Sequence, residues 1–298
     1  MHSFSVIIPH HNIPQLLQRC LASIPDIPEV QVVVVDDNSS EEKVDFEHFP
    51  GMERANTTCI FDKDGGGAGH ARNVGMGHAD GKWLVFADAD DFFTSEAFAI
   101  LNSHKNDPHD IILFKADSVN SDDSSPSDRH LKLNNAIDAA LSGSLSVKEA
   151  LLAKPVPWCK MLRRDYIQKY KIKFDETMAA NDQMFVAKAT CWAKDDAVAI
   201  ASDVLYIVTT RANSLMDNWG KNPSNYLCRL GVQIRYNKFV KDYPFLRQEP
   251  IITLLANSRH FGFKTFFKAL SLVLRENALF SGLEYKRIVK HLSLKLKV

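Results

Sequence analysis

The opening of the chain predicts an α/β fold. FSVIIPHHN, from Phe4 to Asn12, is a short β-rich apolar run stopped by Pro9. IPQLLQRCLASI behind it carries Leu16, Leu17, Cys20, Leu21 and Ile24 at helical spacing. VQVVVVDDNSS follows with a nearly unbroken valine run, which is comfortable only as a strand buried on both faces, as in a parallel sheet between helices. Strand, helix and strand in that order set the class.

The next elements extend the pattern. TTCIFD predicts a third strand, DKDGGGAGHARN a glycine-rich loop running into a helix of small residues, and GKWLVFADADDFF a fourth strand ending in carboxylates. Asp110 to Phe114 reads as a further strand. SVNSDDSSPSDRH, residues 118–130, has too little apolar content to pack and is expected to be mobile. From 134 to 195 the pattern is mostly helical, including VPWCKMLRRDYIQKY and MAANDQMFVAKATCWAK, and DVLYIVTTR closes the body as a last strand. Three predicted strands end in polar clusters, at Asn12, at Asp36-Asp37 and at Asp88 to Asp91. In open parallel sheets ligands sit beyond the carboxyl ends of strands, so these clusters are expected to meet at one site.

Composition narrows the function classes. The 298 residues carry 36 Lys+Arg against 36 Asp+Glu, but residues 251–298 hold nine basic and two acidic residues, so the remainder is acidic. An acidic body gives no electrostatic basis for binding nucleic acid, and the basic tail is the place for an anionic partner. No run reaches the roughly 20 apolar residues that cross a bilayer, and the N-terminus lacks a signal-peptide pattern, so the expected location is cytoplasmic. Five scattered cysteines without a CxxC predict reduced thiols and no cysteine zinc site.

Each cluster suggests a chemistry. Asp88 and Asp90, two apart on an extended segment, face the same way, and two adjacent carboxylates repel unless a cation lies between them. A hard divalent ion, Mn²⁺ or Mg²⁺, shared with substrate phosphates meets that need, although the same string also suits an acidic turn before a helix. Asp36-Asp37 could accept hydrogen bonds from ribose hydroxyls or a base, or could close a capped turn. The glycine loop could cradle phosphate, with Arg72 adding a fork of donors. Gly65 and Gly67 also mimic part of a dinucleotide fingerprint, which keeps a nicotinamide-dependent oxidoreductase as an alternative. The third glycine of that pattern falls at His70.

Taken in order, SVIIPHHN, VVVVDDNSS, GGAGHARNVGMGHADGKWLVFADADD and AANDQMF resemble the family 2 nucleotide-sugar glycosyltransferases of bacterial type, which have the GT-A fold. The resemblance implies a Rossmann-like mixed sheet over residues 1–215, with a nucleotide-sugar half at 1–115 and an acceptor-side half at 116–215. It implies donor contacts from Pro9, Asn12, Asp36, Asp37, Arg72, Asn73, Asp88 and Ala89, with Asp37 at uracil, Asp88 at ribose and Asp90 on the metal ion. Asp182 is the implied catalytic base, and Trp158, Lys160, Asn181 and Arg211 are implied on the acceptor side. Two positions depart from the family pattern: Asn181 stands where a Glu is common, and His11 where a Tyr is.

The implied activity is metal-dependent, inverting transfer of a sugar from a UDP-sugar to a hydroxyl of a growing cell-surface glycan, such as lipopolysaccharide or capsule, or of a lipid-linked acceptor. The departures at 181 and 11 keep open a non-catalytic nucleotide-sugar-binding assembly subunit. Residues 216–298 read as a basic, amphipathic helical extension. Its Lys264, Lys268, Arg275, Lys286, Arg287, Lys290, Lys295 and Lys297 interleave with aromatic and leucine residues. Residues 251–298 could lie peripherally on an anionic membrane or pack on the body.

Overall fold

The computed structural model describes residues 2–211, 222–243, 246 and 248–281. The chain divides into two compact units, Met1–Ser214 and Leu215–Val298.

The first unit is built on one eight-stranded mixed sheet in the order β3-β2-β1-β4-β7-β6-β8-β5. Its parallel half comprises β1 (Phe4–His10), β2 (Val30–Asp37), β3 (Thr57–Asp62) and β4 (Trp83–Phe86). Helix α1 (Pro14–Ala22) packs Leu17, Cys20 and Leu21 into the cluster that holds Val32 and Val34. Val33 and Val35 meet Ala71 of α2 (Gly67–His78). The valine run is thus buried on both faces for the reason its composition predicts.

Pro9 does not end β1, which runs one residue further and pairs His10 with Asp36. Ala87 N–H donates to Ile7 O at 3.1 Å, and the β1–β4 ladder ends at the Ile7–Phe86 pair. Pro9 shares the side of Ile7, beyond that last pair, where no donor is needed.

The second half of the sheet departs from the sequence reading at three places. Beyond β5 (Phe92–Phe93) and α3 (Ala97–Ser103), β6 spans Ile111–Asn120 and enters the Ser/Asp-rich segment. Its outer residues are held in register by β8 (Val198–Thr210), with Ser118 opposite Val208 and Asn120 opposite Thr210. The loop beyond it is tied down as well: Ser127 N–H donates to Ser118 O at 2.9 Å, and Ser118 Oγ lies 2.7 Å from His130 Nδ1. After α4 (Leu131–Leu141) and α5 (Val147–Ala153), Lys160–Arg163 forms β7, an antiparallel strand between β4 and β6, where the pattern suggested helix. Finally Phe92 and Phe93 form their own short strand, antiparallel to β8. Helices α6 (Arg164–Lys169) and α7 (Gln183–Trp192) complete the unit.

The second unit contains α8 (Pro223–Val240), α9 (Ile251–Asn257) and α10 (Phe263–Arg275). Leu230, Ile234, Ile251, Leu254, Leu255, Ala269 and Val273 form its core. Lys286, Arg287, Lys290, Lys295 and Lys297 lie outside the described residues. Among the described residues no helix is long and apolar enough to cross a membrane, and Cys20, Cys59, Cys159 and Cys191 are free thiols.

Candidate active site

β1 lies between β2 on one side and β4 on the other, so the chain reverses its direction of growth across the sheet at β1. A crevice opens at such a point beyond the carboxyl ends of the strands, and His10, Asp37 and Asp88 mark those ends here.

Asp36 and Asp37 alternate faces, as strand residues must. Asp36 is buried: His10 Nδ1 lies 2.7 Å from its Oδ1, Ser39 N–H donates to Oδ2 at 2.9 Å, and Ser39 Oγ donates to Oδ1 at 2.5 Å. Ile13 N–H donates to His10 Nε2, so the imidazole carries its proton on Nδ1, toward Asp36. Burial alone would raise the Asp36 pKa, but the His10 and Ser39 hydrogen bonds together hold it below the ordinary carboxylate value. Asp36, expected at the donor, therefore anchors the turn, its two oxygens being taken up by His10 and Ser39. Asp37 is half-buried and accepts from Gly67 N–H at 3.1 Å, and burial raises its pKa. Asn12 locks the neighbouring loop, receiving Ser40 N–H on Oδ1 at 2.9 Å and donating its own N–H to Ser39 Oγ at 2.8 Å. His11 Nδ1 lies 2.8 Å from the Asp37 carbonyl.

On the other side of β1, Asp88 closes a four-member set. Arg72, almost fully buried on α2, reaches Asp88 Oδ1 at 2.5 Å and donates to Asn181 Oδ1 at 3.0 Å. Its guanidinium carbon lies 5.4 Å from the centre of the Phe174 ring. One arginine thus ties the strand end to the segment that carries Asp182. Asp88 N–H donates to the Tyr206 hydroxyl at 2.8 Å, fixing the start of the acidic turn. Burial and then Asp88 raise the Asp90 pKa, and Arg211 Nη2 lies 3.6 Å from Asp90 Oδ2. Asp91 is buried and accepts from Thr209 N–H at 2.7 Å, so it holds β8. Ala89 is buried, as is Pro9 within its strand.

Asp182 stands just before α7, and its carboxylate accepts no hydrogen bond from another described residue. Burial raises its pKa to about 6, against the pull of Arg72 and Lys160 and with the help of Asp88. The backbone that delivers it is strained, with Ala180 at φ +56°. Gly69 makes the approach geometrically necessary: a Cβ there would lie 2.2 Å from the Asp175 carbonyl and 2.8 Å from Asn181 Cβ, so α2 can pack on this segment only without a side chain. Asn73 completes the clamp. Its Nδ2 donates to Phe174 O and to Glu176 Oε1, both at 3.0 Å, and its Oδ1 accepts from Phe174 N–H at 2.9 Å. Asn73, expected at the donor, holds the protein segment with its whole amide.

Of the residues expected on the acceptor side, Trp158 is buried and stacked on Tyr206, with centroids 5.8 Å apart. Lys160 is buried at the start of β7, where Nζ donates to Val156 O at 2.6 Å. Burial pulls its pKa down to about 8, against Cys159 and Asp182, which stabilise its charge. Sequence reasoning missed the His10–Asp36 pair and the Tyr206 contact. It also missed a grouping of Asp62, Asp64 and His70, whose ligand atoms lie within 4.8 Å of one another. In that group His70 Nε2 is 2.7 Å from Asp62, and Nδ1 is 3.2 Å from Glu176. Hydrogen bonding to Glu176 raises the His70 pKa.

A mixed sheet with a strand-end crevice, a glycine-opened helix and paired carboxylates defines a GT-A architecture. Solved structures with the same fold include Staphylococcus aureus TarS residues 1–349 in complex with UDP-GlcNAc, 22% identical with a TM-score of 0.63, covering 94% of this chain and 84% of that one. A mannosyltransferase of Pyrobaculum calidifontis in complex with GDP-Man and Mn²⁺ is 15% identical with a TM-score of 0.53, covering 99% and 80%. Residues 5–171 match Glycosyl transferase family 2, and the chain belongs to that family. Among its relatives, the poly(ribitol-phosphate) β-N-acetylglucosaminyltransferase TarS of S. aureus strain MW2 is 27% identical over 71% of this chain and 36% of its own length. The poly(ribitol-phosphate) β-glucosyltransferase of Bacillus spizizenii is 28% identical over 68% and 32%. The chain spans about a third of the length of these curated relatives.

Proposed function

We propose that this chain transfers a sugar from a uridine diphosphate sugar to a hydroxyl of a cell-envelope polysaccharide, with inversion at the anomeric carbon and with help from a divalent ion. The observation that carries the reading is Asp182: a half-buried carboxylate that accepts no hydrogen bond from another described residue, with a pKa raised to about 6. Such a group is ionised at neutral pH yet basic enough to take a proton, as a general base requires.

In this reading Asp182 removes the proton of the acceptor hydroxyl. The hydroxyl oxygen then bonds to C1 of the sugar as the C1–O bond to the nucleoside diphosphate breaks on the opposite face. Asp37 and Asp88 hold the nucleoside, and Arg72 fixes the distance between donor side and base by binding both Asp88 and Asn181. Lys160 and Arg211 face the same region and carry positive charge toward Asp182 and Asp90. Asp90 and the remaining oxygen of Asp88 suit a divalent ion, since Asp88 raises the cost of ionising Asp90 and Arg211, at 3.6 Å, counters Asp90 only loosely. An ion there would supply a Lewis acid for the charge developing on the leaving diphosphate. The curated relatives act on poly(ribitol phosphate) by name, which supports a cell-wall polymer as the acceptor.

The test is binding and slow hydrolysis of a nucleotide-sugar panel with Mn²⁺, Mg²⁺ or chelator. Binding of one UDP-sugar that weakens with chelator is expected. Binding of no nucleotide sugar, or binding of a nicotinamide cofactor instead, would overturn the reading. Binding without hydrolysis or transfer would indicate the non-catalytic alternative.

A further inference from the structure

Within the second unit, α10 turns Thr265, Ala269 and Val273 inward at four-residue spacing. Its outer side is unlike an ordinary solvated helix face. Phe263, Phe267 and Leu274 are 81%, 61% and 54% exposed, and Lys264, Lys268 and Arg275 stand exposed among them. Residues Phe263–Arg275 contain no acidic residue. Lys264, Phe267, Lys268, Ser271, Leu272 and Arg275 line an open hollow of about 580 Å³ whose wall has no carboxylate. Glu276, at the helix end, is 2.7 Å from Lys238 and 3.8 Å from Arg275 Nε. Lys264 and Lys268 form no ion pair among the described residues.

Two properties together select the occupant. Phenylalanines one helical turn apart need an apolar medium, and the cations between them need anions at the same depth. The boundary of an anionic bilayer presents both, with acyl chains just below phosphate headgroups. The sequence beyond the described residues adds charge of the same sign, with five Lys/Arg and one Glu in residues 282–298. We infer that α10 seats the protein on an anionic phospholipid surface, with Phe263, Phe267 and Leu274 entering the acyl boundary and Lys264, Lys268 and Arg275 meeting the headgroup phosphates. This stands on residues of the second unit and is independent of the transfer chemistry.

The experiment is sedimentation of the full chain with vesicles of phosphatidylcholine alone, or mixed with phosphatidylglycerol, at low and high salt. Binding to the mixed vesicles only, weakened by salt, is the expected result. Lys264→Gln with Lys268→Gln should weaken it about 30-fold, the effect of removing two basic residues from an anionic surface. Phe263→Ser with Phe267→Ser should also weaken it and should abolish the shielding of a fluorophore at position 271 from aqueous quencher. Both pairs are solvent-exposed, and unchanged circular dichroism and donor binding would show that the fold is kept. Equal binding to both vesicle types, no binding to either, or wild-type binding by both double variants would overturn the inference. So would tight binding of soluble polyphosphate by a protein that ignores the vesicles, which would make the surface a site for an anionic polymer.

Discussion

Asp36 and Asp182 are aspartates of the same unit with opposite proton affinities, and the contrast separates scaffold from chemistry. Asp36 is shut off from solvent, yet its pKa is lowered, because His10 and Ser39 fill its oxygens with hydrogen bonds. Asp182 has no such partner, and burial raises its pKa to about 6. Burial alone therefore does not mark a functional carboxylate; burial without satisfaction does. The region around β1 and β2 is a finished hydrogen-bond network, whereas the entry to α7 holds an acid in an environment that disfavours its charge.

The contrast is sharpened most by removing the proposed base. Asp182→Asn should cut transfer by about 10²–10⁴-fold while donor affinity, read by calorimetry, is retained. The same change should stabilise the protein at pH 8. A carboxyl whose folded pKa lies above its unfolded value opposes folding once it is ionised, so stability falls as pH rises from the unfolded value of 3.8 to about 6. Relief of that cost is worth up to about 3 kcal/mol in urea unfolding. Asp36→Ala should act in the reverse sense, costing about 1–3 kcal/mol for each polar group of His10 and Ser39 that it leaves buried without its partner. If Asp36→Ala were as stable as wild type, the scaffold half of the comparison would fail.

Smaller changes test the link between the two regions. Gly69→Ala forces a Cβ to 2.2 Å from the Asp175 carbonyl. It should cost on the order of 10²-fold in transfer through misplacement of Asp182, with a smaller effect on nucleotide affinity. Lys160→Met removes a positive charge that favours ionised Asp182, so the acidic limb of the rate profile should move to higher pH. A limb that moved down would show that Lys160 is not paired electrostatically with Asp182.

The sequence was most informative where local pattern and fold agree. The valine run of β2 could be buried only on both faces, and α1 and α2 followed from spacing and small residues. β7 was illegible because VPWCKMLRRDYIQKY carries helical spacing, while four of its residues are claimed by antiparallel ladders to β4 and β6. The outer half of β6 is set by β8, some 90 residues away, and not by its own Ser and Asp side chains. Within the site, Asp36 and Asp37 looked equivalent as letters, and alternation along the strand gave them different faces. Arg72 was visible as a cation at a glycine loop, but its span from Asp88 to Asn181 joins positions 109 residues apart in the case of Asn181. Asp182 was identified through family resemblance, since one carboxylate before a helix carries no spacing signal of its own.

The central claim is that Asp182 takes the acceptor proton with a pKa set by its surroundings. The most direct test is the pH dependence of kcat/KM for transfer in wild type and in Asp182→Asn. The account predicts a rate that rises through a pKa of about 6 to a plateau in wild type, and a small residual rate without that limb in the variant. A limb near the ordinary carboxylate value, or one that survives in Asp182→Asn, would contradict it.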